Sequence, residues 1–365
     1  MSAASGDTIQ SIQILRAVAA TAVVYYHCNT PGGGFEFPQT GAWGVDVFFV
    51  ISGFIIARTA FRRREKFLRA RVVRVVPIYV IATILMVGVV LAFPHQVNSA
   101  ELSPSGLLQS ALFVPYEMTT RPGPILEVGW TLNYEMFFYV VVALALFVTR
   151  SAKRGLTVTA GLLCLLVLSG WISPSEWYIV RFYQSSLFLE FLSGVLLWVV
   201  YDKSREIRET FALGRMASAH AGGLMIAGGV ALLVAQDTWT VFAGGPDVRF
   251  LQNGLPALLV VAGGLLTESA LSASRWVTPL VELGDASYAL YLFHPFVVLF
   301  ISRIAFEGVL AEAAAGVRFV LLLLAIASAL ATSVVVNRHI DRPIQRWLRR
   351  RVLRARSAST APSLV

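Results

Sequence analysis

The chain has 365 residues, of which 56% are hydrophobic and 14% charged, with a mean hydropathy of +0.69. Soluble domains carry about 25% charged residues, so a chain this apolar can build a core in water but not a surface, and lipid must be its solvent over most of its length. The formal charge of +9 does not point to nucleic acid, because the basic residues stand in blocks between apolar runs, as Arg62-Arg63-Arg64 and Arg349-Arg350-Arg351 do, and such blocks are the positive-inside signal of cytoplasmic loops.

Ten apolar segments are predicted in chain order: 9–28, 41–60, 75–93, 126–149, 155–172, 178–200, 219–236, 251–267, 283–302 and 317–337. Most reach the ~20 residues that cross a bilayer at 1.5 Å per residue; the fifth, seventh and eighth are the weakest. The run 107–115 is too short to span and reads as a re-entrant or interfacial piece. No internal repeat is visible. The expectation is an all-α polytopic transmembrane helix bundle of about ten helices, membrane-embedded over 1–347, with a basic, disordered cytoplasmic tail over 348–365. No basic region precedes the first apolar run and Arg16 lies inside it, so it reads as a retained helix rather than a cleaved signal. Cys28 and Cys164 suggest neither a disulfide framework nor a metal site.

Orientation follows from the loops. With the N-terminus in the cytoplasm and strict alternation, 24 of the 30 Lys and Arg residues fall on the cytoplasmic side. Five, Arg121, Arg181, Arg249, Arg303 and Arg318, fall outside, and Arg16 lies in the membrane. That split predicts N-in, C-in.

Chemistry is sought among ionisable groups at membrane depth, where each costs ~2.5–3.5 kcal/mol at a helix centre unless it has a partner or a cavity. Arg16, His27, Asp46, Glu135, Glu190, Asp285 and His294 qualify. Arg16 and His27 stand eleven residues apart on the first helix, about three turns, so they share a face with ~16 Å between them. Either they line a polar stripe, cation at one depth and proton acceptor at another, or they are a paired core Arg and an interfacial His. Asp46, early in the second helix, is expected near the depth of His27, where a carboxylate raises basicity and fixes a tautomer; a helix-dipole role is the alternative. Arg71 and Arg74, one turn apart at the cytoplasmic boundary, suit a phosphate-rich ligand or simply continue the positive-inside charge. Trp130, Tyr134 and Glu135 open the fourth spanning segment with an aromatic and acidic set suited to a sugar, or with an interfacial belt. His294 precedes Pro295, which frees a backbone carbonyl, and is either a second polar group on the substrate path or a packed core His.

Taken together, Arg16 and His27, Gly44-Val45-Asp46-Val47-Phe48-Phe49-Val50-Ile51-Ser52-Gly53-Phe54, Arg71-Val72-Val73-Arg74 before Pro77, Trp130-Thr131-Leu132-Asn133-Tyr134-Glu135-Met136-Phe137-Phe138-Tyr139, Glu190-Phe191-Leu192-Ser193-Gly194, Leu283-Gly284-Asp285-Ala286-Ser287-Tyr288 through His294-Pro295, and Ile340-Asp341-Arg342-Pro343 occur in order. This succession resembles the acyltransferase 3 family of bacterial membrane acyltransferases over nearly the whole chain. The resemblance implies O-acylation of a carbohydrate such as an exopolysaccharide or O-antigen unit, or of a small molecule such as a macrolide. It implies acyl-CoA, most simply acetyl-CoA, as cytoplasmic co-substrate, with no permanently bound cofactor or metal. It implies a bacterial inner-membrane location and polysaccharide biosynthesis proteins as neighbours. Arg16 and His27 would be catalytic, with Asp46 or Glu135 setting the basicity of His27. Arg71 and Arg74 would hold the donor, and Trp130, Tyr134 and His294 the acceptor. Asp341 departs from the Glu that family members commonly carry. Without the resemblance, a proton-coupled carrier or a polysaccharide flippase also fits intramembrane charge.

Overall fold

A computed structural model describes residues 8–30, 33–94, 102–117, 123–210, 215–239, 248–271, 277–305 and 313–353. Helix is the regular structure of these residues. In chain order they form α1 (Gln10–Asn29), α2 (Gly44–Arg63), α3 (Phe67–Ala92), α4 (Pro104–Ala111), α5 (Trp130–Thr149), α6 (Ala152–Ile172), α7 (Tyr178–Tyr183), α8 (Leu187–Thr210), α9 (Arg215–Trp239), α10 (Leu255–Leu271), α11 (Val277–Leu299), α12 (Ala315–Val336) and α13 (Arg342–Leu348). Nine stretches among the described residues are long and apolar enough to cross a membrane. The tenth long helix is α1, 20 residues carrying Arg16 and His27. All ten predicted segments fall on these helices, and the protein is an all-α, multi-pass membrane protein. Arg121 and Arg275, used in the charge count, lie outside the described residues, as does 354–365 of the expected tail; Arg349–Leu353 forms a further helical turn.

Three local features differ from the segment reading. The predicted sixth segment is broken at residues 184–186, where the Ser185 hydroxyl accepts the Leu187 N–H at 3.3 Å and starts α8 as a cap does. Segment 107–115 yields only the eight-residue α4, begun by Ser103, whose Oγ accepts the Gly106 N–H at 3.0 Å. Third, α3 begins at Phe67 rather than near 75, and so carries Arg69, Arg71 and Arg74 inside the helix; Arg, Leu and Ala favour that extension.

The described chain forms two compact units, Met1–Arg58 with Ala160–Val334, and Thr59–Thr159 with Val335–Val365. In the first, α1 packs between α10 and α11. Both oxygens of Glu268 on α10 accept N–H groups that open α1, from Gln10 at 2.8 Å and Ser11 at 2.7 Å, where a helix has orphan donors and a positive dipole end. Gly264 meets Leu15, so α10 runs antiparallel to α1. Gly284 of α11 lies against the Gln13 backbone and His294 against His27, so α11 runs parallel to α1. Beyond them Ala20, Val24 and Cys28 of α1, Leu290 and Val298 of α11 and Leu322, Ala325 and Ala329 of α12 share one buried apolar core with Phe35. Leu165, Ile172, Leu224 and Val320 are exposed, as lipid-facing positions are in a membrane helix.

Between α1 and α2 the chain does not stay at the helix end. Gly33 lies against the His27 and Cys28 carbonyls, Gly41 against Ala22 and Gly44 against Ala19. The stretch therefore runs back down α1 by about 13 Å at 1.5 Å per residue, and α2 starts level with the middle of α1. A Cβ at Gly41 or Gly44 would collide with the α1 backbone.

The second unit is held by α3 on α5. Tyr79 packs against Gly129, Phe67 against Tyr139, and the guanidinium of Arg71 stands 5.9 Å from the Tyr139 ring centre, so the two helices are antiparallel. Ser110 ties the short α4 to them. Its carbonyl accepts from Tyr79, and its hydroxyl meets Tyr116 and the Ile125 N–H, each at 3.1 Å.

Candidate functional site

In the first unit the parallel packing of α1 on α11 brings two imidazoles together, with the rings of His27 and His294 4.9 Å apart and tilted by 57°. Each ring is held the same way. Nδ1 of His27 lies 2.9 Å from the Val23 carbonyl and Nδ1 of His294 3.1 Å from the Leu290 carbonyl, each one turn back on its own helix. A carbonyl only accepts, so Nδ1 carries the hydrogen in both rings, which in a neutral imidazole makes Nε2 the basic nitrogen. The Nε2 of buried His294 makes no hydrogen bond in the structure. Pro295 has no N–H, so the Tyr291 carbonyl beside this pair loses its helical donor.

Arg16 lies three turns down α1, half-buried, and its Nη1 donates to Gln13 at 3.1 Å. Near the same level α11 presents Ser287, fully buried with an unsatisfied hydroxyl, seven residues before His294 and hence on one face with it.

Asp46 was expected beside His27. The structure gives it another partner. Because α2 starts level with the middle of α1, Asp46 sits below the imidazole pair, fully buried, and both its oxygens are taken by Arg249, Nε and Nη2 each at 2.9 Å. Glu190 of α8, also fully buried, stands beside the Asp46 carboxyl and faces the same pair. Sequence reading had counted Arg249 as an outer-loop charge. The missed signal was balance: two carboxyls inside apolar helices require a cation, and Arg249 adjoins the apolar run that follows it.

In the second unit Arg71 donates to the Thr59 hydroxyl and lies over Tyr139, while the Tyr139 hydroxyl donates to Glu135. Glu135 thus belongs with the arginine pair through Tyr139, a residue quoted in the motif but given no role. Arg74 pairs with buried Asp341 at 3.7 Å, and Gln345 donates to the same carboxylate at 2.7 Å. Asp341 therefore acts as the counter-ion of Arg74 despite its shorter reach. Trp130 and Tyr134 form a T-shaped pair with centres 6.0 Å apart, Trp130 half-buried and Tyr134 buried. Asn133, between them in sequence, is 1% exposed with both amide atoms unpartnered. Among the described residues no cluster of three or more His, Cys, Asp or Glu could hold a metal ion.

Against known proteins, the family profile described as "Acyltransferase domain" matches residues 9–338. The exopolysaccharide production protein ExoZ of Rhizobium meliloti is 35% identical over 72% of this chain and 78% of its own length. Nodulation protein 10 of Rhizobium leguminosarum bv. viciae is 25% identical over 82% of this chain and 85% of that protein. The O-acetyltransferase OatA of Staphylococcus aureus is 23% identical over 80% of this chain, which spans only 51% of OatA. No solved structure matches.

Proposed function

Because the chain belongs to the acyltransferase 3 family, matched over residues 9–338, and is a multi-pass membrane acyltransferase, we propose that it moves an acyl group, acetyl in the simplest case, from cytoplasmic acyl-CoA to a hydroxyl of a carbohydrate such as an exopolysaccharide unit. Similarity to a protein named for exopolysaccharide production and to one named an O-acetyltransferase supports that acceptor and that reaction. The bacterial inner membrane is the proposed location, with N-in and C-in orientation, and polysaccharide biosynthesis proteins are the proposed neighbours.

The observation that carries the mechanism is the contact of His27 Nδ1 with the Val23 carbonyl. With Nδ1–H held by Val23, Nε2 takes the proton of the acceptor hydroxyl. The oxygen attacks the thioester carbonyl, the C–S bond breaks, and the proton passes from His27 to the leaving thiolate. A variant has Nε2 attack first and carry the acyl group. Arg16 stabilises negative charge on the donor or on the oxyanion. His294 presents a second Nε2 to the same acceptor, and Trp130 and Tyr134 supply faces on which a sugar stacks. Arg71 and Arg74 bind the phosphates of CoA, Arg71 held against Tyr139, whose hydroxyl donates to Glu135, and Arg74 by Asp341.

Replacing His27 by Gln keeps a polar side chain but removes the base. Expression and insertion should stay near normal while acceptor acylation, read by mass spectrometry and normalised to protein level, falls by ~10²–10⁴. Acylation at the wild-type rate would make the histidine structural and end this mechanism.

A further inference from the structure

The last described helical run does not stop where its apolar stretch stops. It continues from Ala315 to Val352, 38 residues, because α12 passes through a π turn, Asn337–Asp341, into α13 and then into the turn Arg349–Leu353. At 1.5 Å per residue that is ~57 Å, against ~30 Å of hydrocarbon and ~40–45 Å with both headgroup layers. Near its start Arg318 pairs with the exposed Glu36, which marks one polar layer. Trp347 follows ~44 Å further along the axis at the same rise, a span that matches the bilayer with both headgroup layers.

The surface of this last part is divided. Asn337, Asp341 and Gln345 are buried at four-residue intervals on the side that packs against α3, where Asp341 pairs with Arg74 and accepts from Gln345. By helical spacing Arg342, Arg346 and Arg350 fall to one side of that buried stripe, and Arg346 and Arg350 are exposed. Ile344, Trp347 and Leu348 fall to the other side. Trp347 is 52% exposed, and the Arg351 guanidinium lies 4.4 Å from its ring centre. Asp341 is the only acid from Asn337 to Val352, and its charge is already matched by Arg74. A basic flank beside a flank with an outward Trp is the pattern of a helix seated in the membrane interface. Helix side chains lean toward the N-terminus, which for α13 is the end joined to α12, so Arg346 and Arg350 lean back toward the bilayer.

We propose that Arg346, Arg350 and Trp347 form a binding surface for an anionic membrane lipid, the arginines on its phosphate and the indole among the headgroups. The occupant is a bilayer lipid because the cations stand at headgroup depth beside an aromatic, apolar flank, which a soluble anion does not use. Each arginine near the surface adds about fivefold to the preference for anionic over neutral lipid. The inference is independent of the reaction and of which leaflet holds the C-terminal end.

The test titrates the full chain in detergent with phosphatidylglycerol or phosphatidylcholine of matched acyl chains and counts bound lipid by native mass spectrometry. Wild type should prefer phosphatidylglycerol. Arg346→Gln with Arg350→Gln should lower that preference about thirtyfold. Lys153→Gln with Arg154→Gln, an equal loss of charge at another exposed basic pair, should leave it unchanged. Trp347→Gln should weaken both lipids and keep their ratio. Glycerol phosphate, the headgroup phosphate without acyl chains, should not displace the bound lipid. Should the double variant fail to fold, Arg350→Gln alone provides the same comparison at about fivefold. An unchanged lipid preference in Arg346→Gln with Arg350→Gln overturns the proposal, and so does an equal loss in the Lys153 and Arg154 control, which would reduce the effect to net charge. Displacement by glycerol phosphate would make this a soluble-anion site. Loss of acetyl-CoA binding with lipid preference intact would give the surface to the acyl donor, and either result overturns the lipid assignment.

Discussion

At the scale of single residues, the Asp46–Arg249 pair shows what pairing does to charge inside a membrane protein. Its geometry is the bidentate fork that makes Arg–carboxylate bonds strong, and Glu190 adds a second buried carboxyl. Removing the cation leaves both acids stranded, a change that typically costs about 3–5 kcal/mol. Arg249→Met should therefore melt far below wild type in detergent, and adding Asp46→Asn should recover much of the loss. If Arg249→Met alone melts like wild type, the pair is incidental. The sequence made Asp46, Glu190, His27 and His294 legible as functional candidates, because ionisable groups in apolar runs are conspicuous. It did not reveal their partners. Asp46 was matched to His27 by depth, which assumed that α2 starts where α1 ends; the descent of residues 33–43 moves it down to Arg249. His294 reaches His27 through a helix-to-helix packing that no local pattern encodes.

At the scale of elements, helix positions were readable because length and apolar content decide what can span lipid. The breaks at residues 184–186 and 33–43 were not, because tertiary hydrogen bonds and close backbone packing stabilise them. The α1–α11 contact depends on one such approach. Gly284 lies so close to the Gln13 backbone that an added Cβ has no room, and overpacking of this kind costs about 1–3 kcal/mol. Gly284→Ala should push α11 away from α1, lower thermal stability and reduce acylation through His27 and His294. Gly161 on α6 has open space around it, so Gly161→Ala should be neutral or gain up to ~1 kcal/mol. Melting curves and normalised acylation of the two variants separate the cases; equal behaviour would mean the contact does not position the imidazoles.

At the scale of the whole molecule, the packing directions agree with alternating passage: α10 antiparallel to α1 and α11 parallel to it. With the basic loops assigned to the cytoplasm, reporter fusions after Arg64 and Arg154 should report the cytoplasm and a fusion after Gly34 the outside. A cytoplasmic signal at Gly34 would reverse the orientation. The Glu268 contact with the start of α1 has a consequence for biosynthesis. α1 carries Arg16 and His27, and falls outside the nine stretches of the described residues that are long and apolar enough to span lipid. The carboxylate that caps it arrives 258 residues later, and His294 later still. Until then α1 must wait in or beside the insertion machinery with its polar stripe unmatched. Maturation of the pair therefore waits on the synthesis of α11: a nascent chain stopped before α11 holds one imidazole of the pair and cannot assemble the other.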